Sequence, residues 1–277
     1  MRNDNYSGLM SIYSKENPNL LRRAFNSILA QTILPKEFVC VLDGPIGSEL
    51  MEVVAWFKSE CGYRNIRIII IKNPVNYGLG ISLEKGLKAC SCEYVARFDS
   101  DDLNKPQRME VMLNHMNRVE NQNIAVLGSQ IAEFVDDPKK PSGRRKVPTS
   151  FDKVAHVIFF RNPLNHMSVV FRKSMVVSVD GYKDMPGFED YYLWMRLINK
   201  GYKITNVPDT LVYAHVDDKT YARRSGIDYF HKELRFQYSV YSQSIIGMPT
   251  LMRNIFVRGT VRLIPQKCLT GLYKLLR

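Results

Sequence analysis

Short apolar runs alternate with amphipathic stretches through the first hundred residues. Tyr6–Tyr13 is read as a first strand. Asn17-Pro18 is an N-cap followed by Pro at the first helical position, and Leu20, Leu21, Ala24, Phe25, Ile28 and Leu29 recur at helical spacing behind it. Glu37–Leu42 predicts a second strand ending in the turn Asp43-Gly44-Pro45. Glu49–Lys58 predicts a second helix and Ile66–Ile71 a third, buried strand. A Gly/Asn loop from Asn73 to Gly80 feeds a helix from Ile81 to about Ala89. Tyr94–Phe98 is a fourth strand, and Pro106 opens another helix. This βαβαβαβ alternation predicts an α/β fold with a doubly wound, mostly parallel sheet.

The second half is less regular. Ile124–Phe134 and Met167–Phe171 have strand character, Asp136 to Pro148 is a polar basic loop, and Ser150 caps a short helix through Phe160. Glu189–Asn199 predicts a helix, Tyr202–Asn206 and Leu211–His215 two strands, and residues 221–245 and 250–276 two further helices. There is no internal repeat or low-complexity stretch.

At 277 residues and 45% hydrophobic, the chain can bury one sizeable core. No apolar run approaches the roughly 20 residues needed to span a bilayer, and the polar start gives no secretory signal. Five cysteines, Cys40, Cys61, Cys90, Cys92 and Cys268, include no second pair to match Cys90-Ser91-Cys92 for zinc, so free thiols in a reducing cytoplasm are expected. The net charge is +12 and unevenly spread. From Lys219 onward eleven Lys/Arg stand against Asp228 and Glu233, so residues 1–218 carry only +3. A basic tail on a near-neutral body points to an anionic partner.

Candidate chemistry lies in two acidic groups. Asp99, Ser100, Asp101 and Asp102 follow the fourth strand, at the strand end where open α/β sheets place their ligand crevice. Three crowded acids repel one another unless a cation, or a cation with a diphosphate, sits among them; the alternative is a capping turn before the Pro106 helix. Glu189 and Asp190 open a helix, where the dipole favours ionised carboxylates. A metal-free carboxylate there can take a proton from an attacking hydroxyl, or the pair simply stabilises the helix end. Leu193, Leu197 and Ile198 form that helix's core face.

The order of these sites resembles the family 2 glycosyltransferases of GT-A fold. The resemblance is carried by Met10-Ser11-Ile12-Tyr13, Ser27 to Thr32, Val41-Leu42-Asp43-Gly44, Asn76-Tyr77-Gly78, Tyr94 to Asp102 followed by Pro106 and Arg108, and Gly187 to Arg196. It spans about residues 6–216 and is nearest to bacterial exopolysaccharide (amylovoran-type) and O-antigen transferases. It implies a GT-A, Rossmann-like fold over residues 1–218, with a nucleotide-binding half to about 105 and an acceptor half from about 106. A basic helical extension follows over 219–277. It also implies an inverting hexosyltransferase. A hexose or N-acetylhexosamine, glucose or galactose first, would move from a UDP-sugar to an undecaprenyl-diphosphate-linked saccharide, forming a β linkage. The cofactor would be Mn²⁺ or Mg²⁺. By the same resemblance Tyr13 and Asp43 contact the base or ribose, Asp99 lies near ribose and metal, Asp101 ligates the metal, and Asp190 is the general base. Glu189, Trp194 and Arg196 shape the acceptor side. Relatives often carry two acids where Asp43-Gly44 stands, and an Arg where Leu83 stands, with Lys85 nearby.

His166, entering a strand, either lines the acceptor site or is structural; His215, ending one, is a candidate to complete the metal shell. Arg223-Arg224 either closes over the diphosphate or is a solvated basic helix. Leu251–Arg277 mixes basic and apolar residues with no acid, as in an amphipathic helix lying on an anionic membrane surface. That suits a cytoplasmic enzyme, peripheral on the cytoplasmic face of a bacterial inner membrane; a helix packed on the body with a basic outer face is the alternative. Two rival functions are weaker. An aspartyl phosphatase or phosphotransferase wants its Asp after an early strand and a Thr soon after, whereas three strands precede this cluster and position 103 is Leu. A nucleic-acid-binding protein is suggested by the pI near 9.4, but no ribonucleoprotein motif or zinc finger accompanies it, so no nucleic-acid partner is expected.

Overall fold

In the computed structural model, which describes residues 4–217 and 226–263, the first half follows the expected alternation. Its elements are β1 (Tyr6–Ile12), α1 (Pro18–Leu29), β2 (Glu37–Leu42), α2 (Ser48–Tyr63), β3 (Arg67–Lys72), α3 (Leu79–Ala89) and β4 (Tyr94–Arg97). Asn17 Oδ1 accepts from the amides of Asn19 and Leu20, and Pro18 costs the helix nothing because its missing N–H would be unpaired at that position.

The second half comprises β5 (Leu103–Asn104), α4 (Arg108–Met116), β6 (Ile124–Phe134), β7 (Gly143–Arg145), α5 (Phe151–Val157), β8 (Val170–Arg172), α6 (Lys173–Val177), α7 (Glu189–Asn199), β9 (Lys203–His215), α8 (Ile227–Ser242) and α9 (Met248–Leu263). β9 is one strand, not two. Its pairing with β6 jumps from Asn206↔Gly128 to Thr210↔Gln130, and this irregularity absorbs Pro208, which has no amide to give. β7 crosses the expected basic loop, paired with β6. The segment expected as a strand from Met167 begins as a single 3₁₀ turn, His166–Ser168, and pairs only from Val170.

The sheet has nine strands in the order β3-β2-β1-β4-β8-β6-β9-β5, with β7 on the side of β6. β3, β2, β1 and β4 are parallel, as expected; beyond β4 the sheet is mixed, because β8 runs antiparallel to both β4 and β6. Side chains alternate across it. Leu9, Val39, Val41 and Val95 face a core with α3 and α7, whereas Met10, Phe38, Cys40 and Ala96 face one with α1, α2 and α4.

The described part of the C-terminal segment joins the first of these cores. Tyr229, Phe236 and Val240 of α8 and Leu251 of α9 pack with α7, Phe236 stacking on Phe188 at 4.8 Å between ring centroids. The boundary expected at 218 therefore does not separate two cores. Glu233, fully buried, pairs with Arg258 through Nε at 2.8 Å and Nη2 at 3.1 Å, and so ties α8 to α9. No helix among the described residues is long and apolar enough to cross a membrane. Cys40, Cys61, Cys90 and Cys92 are buried free thiols. Arg223-Arg224 and residues 264–277 lie outside the described residues.

Candidate active site

The strand directions gather the candidate residues on one edge of the sheet. β1, β2 and β4 end there in Tyr13, Asp43 and the Asp99–Asp102 turn. β8 starts there, since Ala96 pairs with Val170, so His166 lies just beyond Arg97. β5 then pairs Leu103 with Tyr213 of β9 and carries the acidic turn to the end of that strand. As a result His215 Nδ1 comes within 3.7 Å of Asp101 Oδ2.

Each acid of the turn has its own surroundings. Asp102 is buried, and one oxygen accepts from the His215 amide at 2.8 Å. Burial raises its pKa well above the usual range, and the charges of Asp101 and Asp99 add to that. Asp99 pairs with buried Arg97 at 2.5 Å. Asp101 is the more exposed acid and faces His215. Among the described residues no group of three or more His, Cys, Asp or Glu is gathered to hold a metal. Asp101 and His215 come together as expected, whereas Asp99 is turned to Arg97. A carboxylate and an imidazole this close fit a divalent cation that takes its other ligands from water and a diphosphate.

Below the turn, Arg108 is completely buried. It donates to Asn104 Oδ1, to the Arg97 carbonyl at 2.8 Å and to the Val169 carbonyl at 3.3 Å, with its guanidinium 4.6 Å from the Phe98 ring centroid. From α1, Gln31 bonds the Lys105 carbonyl and the Met109 amide, and Ser27 Oγ accepts from the Asn104 amide. The Ser27–Thr32 motif thus anchors the acidic turn from behind.

Asp43 is buried and committed to the loop ahead of α3. Its oxygens accept from Asn73 Nδ2 at 3.0 Å, the Tyr77 amide at 2.8 Å and the Gly78 amide at 2.9 Å. Gly78, at φ 90°, makes the bend that aims those amides. Lys85 donates to Asn73 Oδ1 at 2.8 Å and lies 4.1 Å from the Tyr77 ring centroid. Asp43 thus shapes the loop ahead of α3. Tyr13 lies half-buried just past β1, its carbonyl accepting from the Glu16 amide.

Helix α7 brings a second acidic pair, Glu189 and Asp190, close enough that its charges and that of Asp99 all bear on Tyr182. Gly80 of α3 lets the two helices meet, since a Cβ there would fall 2.6 Å from the Lys183 carbonyl and 3.2 Å from Glu189 Cβ. Glu189 is buried and accepts from the Gly187 amide at 2.8 Å; burial and then the Asp190 charge push its carboxyl up to about 7. Asp190 is half-buried. It accepts from Asn162 Nδ2 at 2.7 Å and from the Tyr191 amide at 2.7 Å, two bonds that fix its orientation.

Between the two pairs stand Arg97, His166 and Tyr182. His166 Nε2 meets the Tyr182 hydroxyl at 3.0 Å, and burial beside the Arg97 charge drives the imidazole pKa down to about 3, keeping the ring neutral. Burial raises the Tyr182 phenol; Arg97 opposes this, while Asp190, Glu189 and Asp99 all bear on it. Trp194 and Arg196 do not reach the crevice. Trp194 is wholly buried, edge-on behind His166 at 6.0 Å, and Arg196, about 9 Å along the helix from Asp190, donates to the Val179 and Gly181 carbonyls. Both brace the site from inside the core.

Three residues escaped the sequence reading. Glu16 follows β1, where burial raises its carboxyl to about 7 against a hydrogen bond with Ser100, and Asp101 and Asp99 add repulsion. Arg97 was visible as a charge within an apolar strand. Asn162 had no local signal.

A family model described as glycosyl transferase family 2 matches residues 9–182. The chain is 34% identical to the Escherichia coli UDP-Gal:alpha-D-GlcNAc-diphosphoundecaprenol beta-1,3-galactosyltransferase, over 97% of this chain and 95% of that one. It is 30% identical to the amylovoran biosynthesis glycosyltransferase AmsE of Erwinia amylovora, over 97% and 98%. Among solved structures, S. aureus TarS residues 1–349 in complex with UDP-GlcNAc superposes with a TM-score of 0.62 at 17% identity, covering 85% of this chain and 66% of that one, a likeness of fold.

Proposed function

The chain belongs to glycosyl transferase family 2, and we propose that it is an inverting, metal-dependent transferase of bacterial surface polysaccharide synthesis. It moves a hexose or N-acetylhexosamine, glucose or galactose first, from a UDP-sugar to a saccharide on undecaprenyl diphosphate and leaves a β linkage. The similarity to the galactosyltransferase for a diphosphoundecaprenol-linked sugar supports the donor and acceptor classes. The observation that carries the chemistry is a separation of surroundings at neighbouring acids: Asp101 lies beside His215, while Asp190 is held by Asn162.

In this assignment Asp190 accepts the proton of the acceptor hydroxyl. The hydroxyl oxygen bonds to the anomeric carbon as the bond from that carbon to the diphosphate breaks, and the electron pair leaves with UDP. Attack from the face opposite the leaving group inverts the centre, and the ring passes through an oxocarbenium-like state. Asp101 and His215 would hold Mn²⁺ or Mg²⁺, which supplies positive charge to the departing diphosphate. Asp99 stays with Arg97, near the ribose. The Tyr77-Gly78 loop, braced by Asp43, and Tyr13 border the nucleotide. Glu189 and His166 line the acceptor side. Asp190 serves as base in preference to Glu189, because Glu189 is buried and bonded back to the Gly187 amide, whereas Asp190 is half-buried.

The enzyme works at the cytoplasmic face of the membrane, resting on α9. The outward residues of that helix, Met248, Met252, Phe256 and Val257, are exposed, and the segment carrying them is strongly basic. A panel of UDP-sugars with a lipid-diphosphate saccharide acceptor, with and without Mn²⁺, tests the proposal. Transfer should need the metal and invert the anomeric centre by NMR. Asp101→Ala should weaken metal-dependent UDP binding by at least about 100-fold, beyond what outer partners of a metal ligand cost. Metal-independent turnover, or retention of configuration, would overturn it.

A further inference from the structure

A basic step lies between the outward face of α9 and the candidate base. Phe160 is clamped to α9: Arg258 Nη1 donates to its carbonyl at 3.2 Å, Asn254 Nδ2 donates to the Phe159 carbonyl at 2.9 Å, and the Arg253 guanidinium lies 4.1 Å from its ring centroid. The next residue is Arg161 and the one after is Asn162, which holds Asp190. The Cα atoms of Phe160 and Asn162 are thus at most about 7.6 Å apart. From the other side Arg145 of β7 donates to the carbonyls of Asn162 and Leu164, at 3.2 and 3.4 Å, and fixes this short path. Arg161 and Arg253 are exposed, and neither guanidinium makes a hydrogen bond or ion pair among the described residues. Arg161 closes a strongly basic stretch of sequence. Residues 138–161 hold seven Lys/Arg against Asp152 alone.

We propose that Arg161 and Arg253 form the subsite for the diphosphate of the acceptor. The inference rests on the lipid-diphosphate acceptor assigned above. In such an acceptor the attacking hydroxyl and the diphosphate are on different carbons of the saccharide, and the lipid lies beyond the diphosphate. The protein presents the matching order: Asp190 for the hydroxyl, two guanidiniums for the diphosphate, and the apolar outer face of α9 for the bilayer. Guanidiniums suit this task, because their planar donors take phosphate oxygens two at a time. The pair also confers specificity, since a sugar without a diphosphate leaves both cations unmatched.

The test compares two soluble acceptors: N-acetylglucosamine α-linked to a short-chain alkyl diphosphate, and the same sugar as a simple alkyl glycoside. No membrane is present, so bilayer headgroups cannot contribute. The ratio of kcat/KM for the two acceptors cancels any general loss of folded enzyme. Arg161→Ala and Arg253→Ala should each lower the preference for the diphosphate acceptor about tenfold, chiefly through its KM, with Arg161→Lys and Arg253→Lys in between. An unchanged ratio in the double alanine variant overturns the subsite, and so does a variant that loses only its binding to anionic vesicles, which would make the pair a headgroup contact. A wild-type enzyme that uses neither acceptor overturns the acceptor assignment itself.

Discussion

The two acidic groups lie near one another but are supported by opposite means. The Asp99–Asp102 turn is held locally: Arg97 and Arg108 lie beneath it, α1 anchors it from behind, and β9 meets it through the His215 amide. The Glu189–Asp190 pair depends on segments distant in sequence. Asn162 fixes the carboxylate of Asp190, while α8 and α9 pack over the residues on either side of the pair, with Phe236 on Phe188 and Arg258 against Tyr191. One site belongs to the sheet edge; the other is assembled by chain that comes before and after it. The Asp99–Asp102 turn should therefore tolerate damage to the C-terminal helices, and the Glu189–Asp190 pair should not.

The largest expected effect separates the sites chemically. Asp190→Asn keeps the size and one of the two hydrogen bonds but cannot take the proton, so kcat should fall by about 10²–10⁴ while donor binding, measured by calorimetry, is retained. Loss of donor binding would mean the two sites are not independent. The next effect tests the assembly. Glu233→Gln leaves Arg258 buried without its counter-charge, at about 3–5 kcal/mol, and should lower the melting temperature and the acceptor-dependent rate together. Folded variant that still turned over normally would show that the α8–α9 hairpin does not position Asp190.

A smaller effect appears in pH. The Glu189 carboxyl is raised to about 7 in the folded protein from an unfolded value of about 4.5. Between those values the folded state binds more protons, so this group makes stability fall as pH rises from about 4.5 to 7, with no further change above. Glu189→Gln should remove that slope, gaining stability relative to wild type at pH 8 and little at pH 4. Glu16, raised into the same window on the donor side, should leave a residual slope in the variant. Identical pH profiles for the two proteins would mean that Glu189 is not desolvated.

The same contrast explains what the sequence reveals. The first half is built from contiguous strand–helix units, with α1 opened by its Asn17 cap, so β1 to β4 and the position of Asp101 follow from local pattern. Its motifs also have local meanings, such as Asn76-Tyr77-Gly78 offering amides to Asp43. The second half is set by pairings between distant segments. A two-residue strand at Leu103–Asn104 has no period to detect, yet it is what brings His215 to Asp101. Asn162 looks like any loop polar residue until α5 and α7 are placed together. Trp194 and Arg196 lie in a motif beside Asp190, but a helix rotates successive residues about its axis, and both turn into the core.

Trp194 gives the mildest and most discriminating test of that last point. Its ring is fully buried against His166, and its indole N–H has no hydrogen-bond partner among the described residues. Trp194→Phe thus loses packing but no hydrogen bond, and should cost about 1–2 kcal/mol, below the range for truncating a buried Trp to Ala. Because the ring reaches the crevice only through His166, the KM for acceptor should change by less than about threefold, while kcat falls slightly as the imidazole loosens. An increase in KM beyond tenfold in a variant of near-native melting temperature would place Trp194 against the acceptor. The contrast between a sheet-edge donor site and an assembled acceptor site would then have to include the middle of α7.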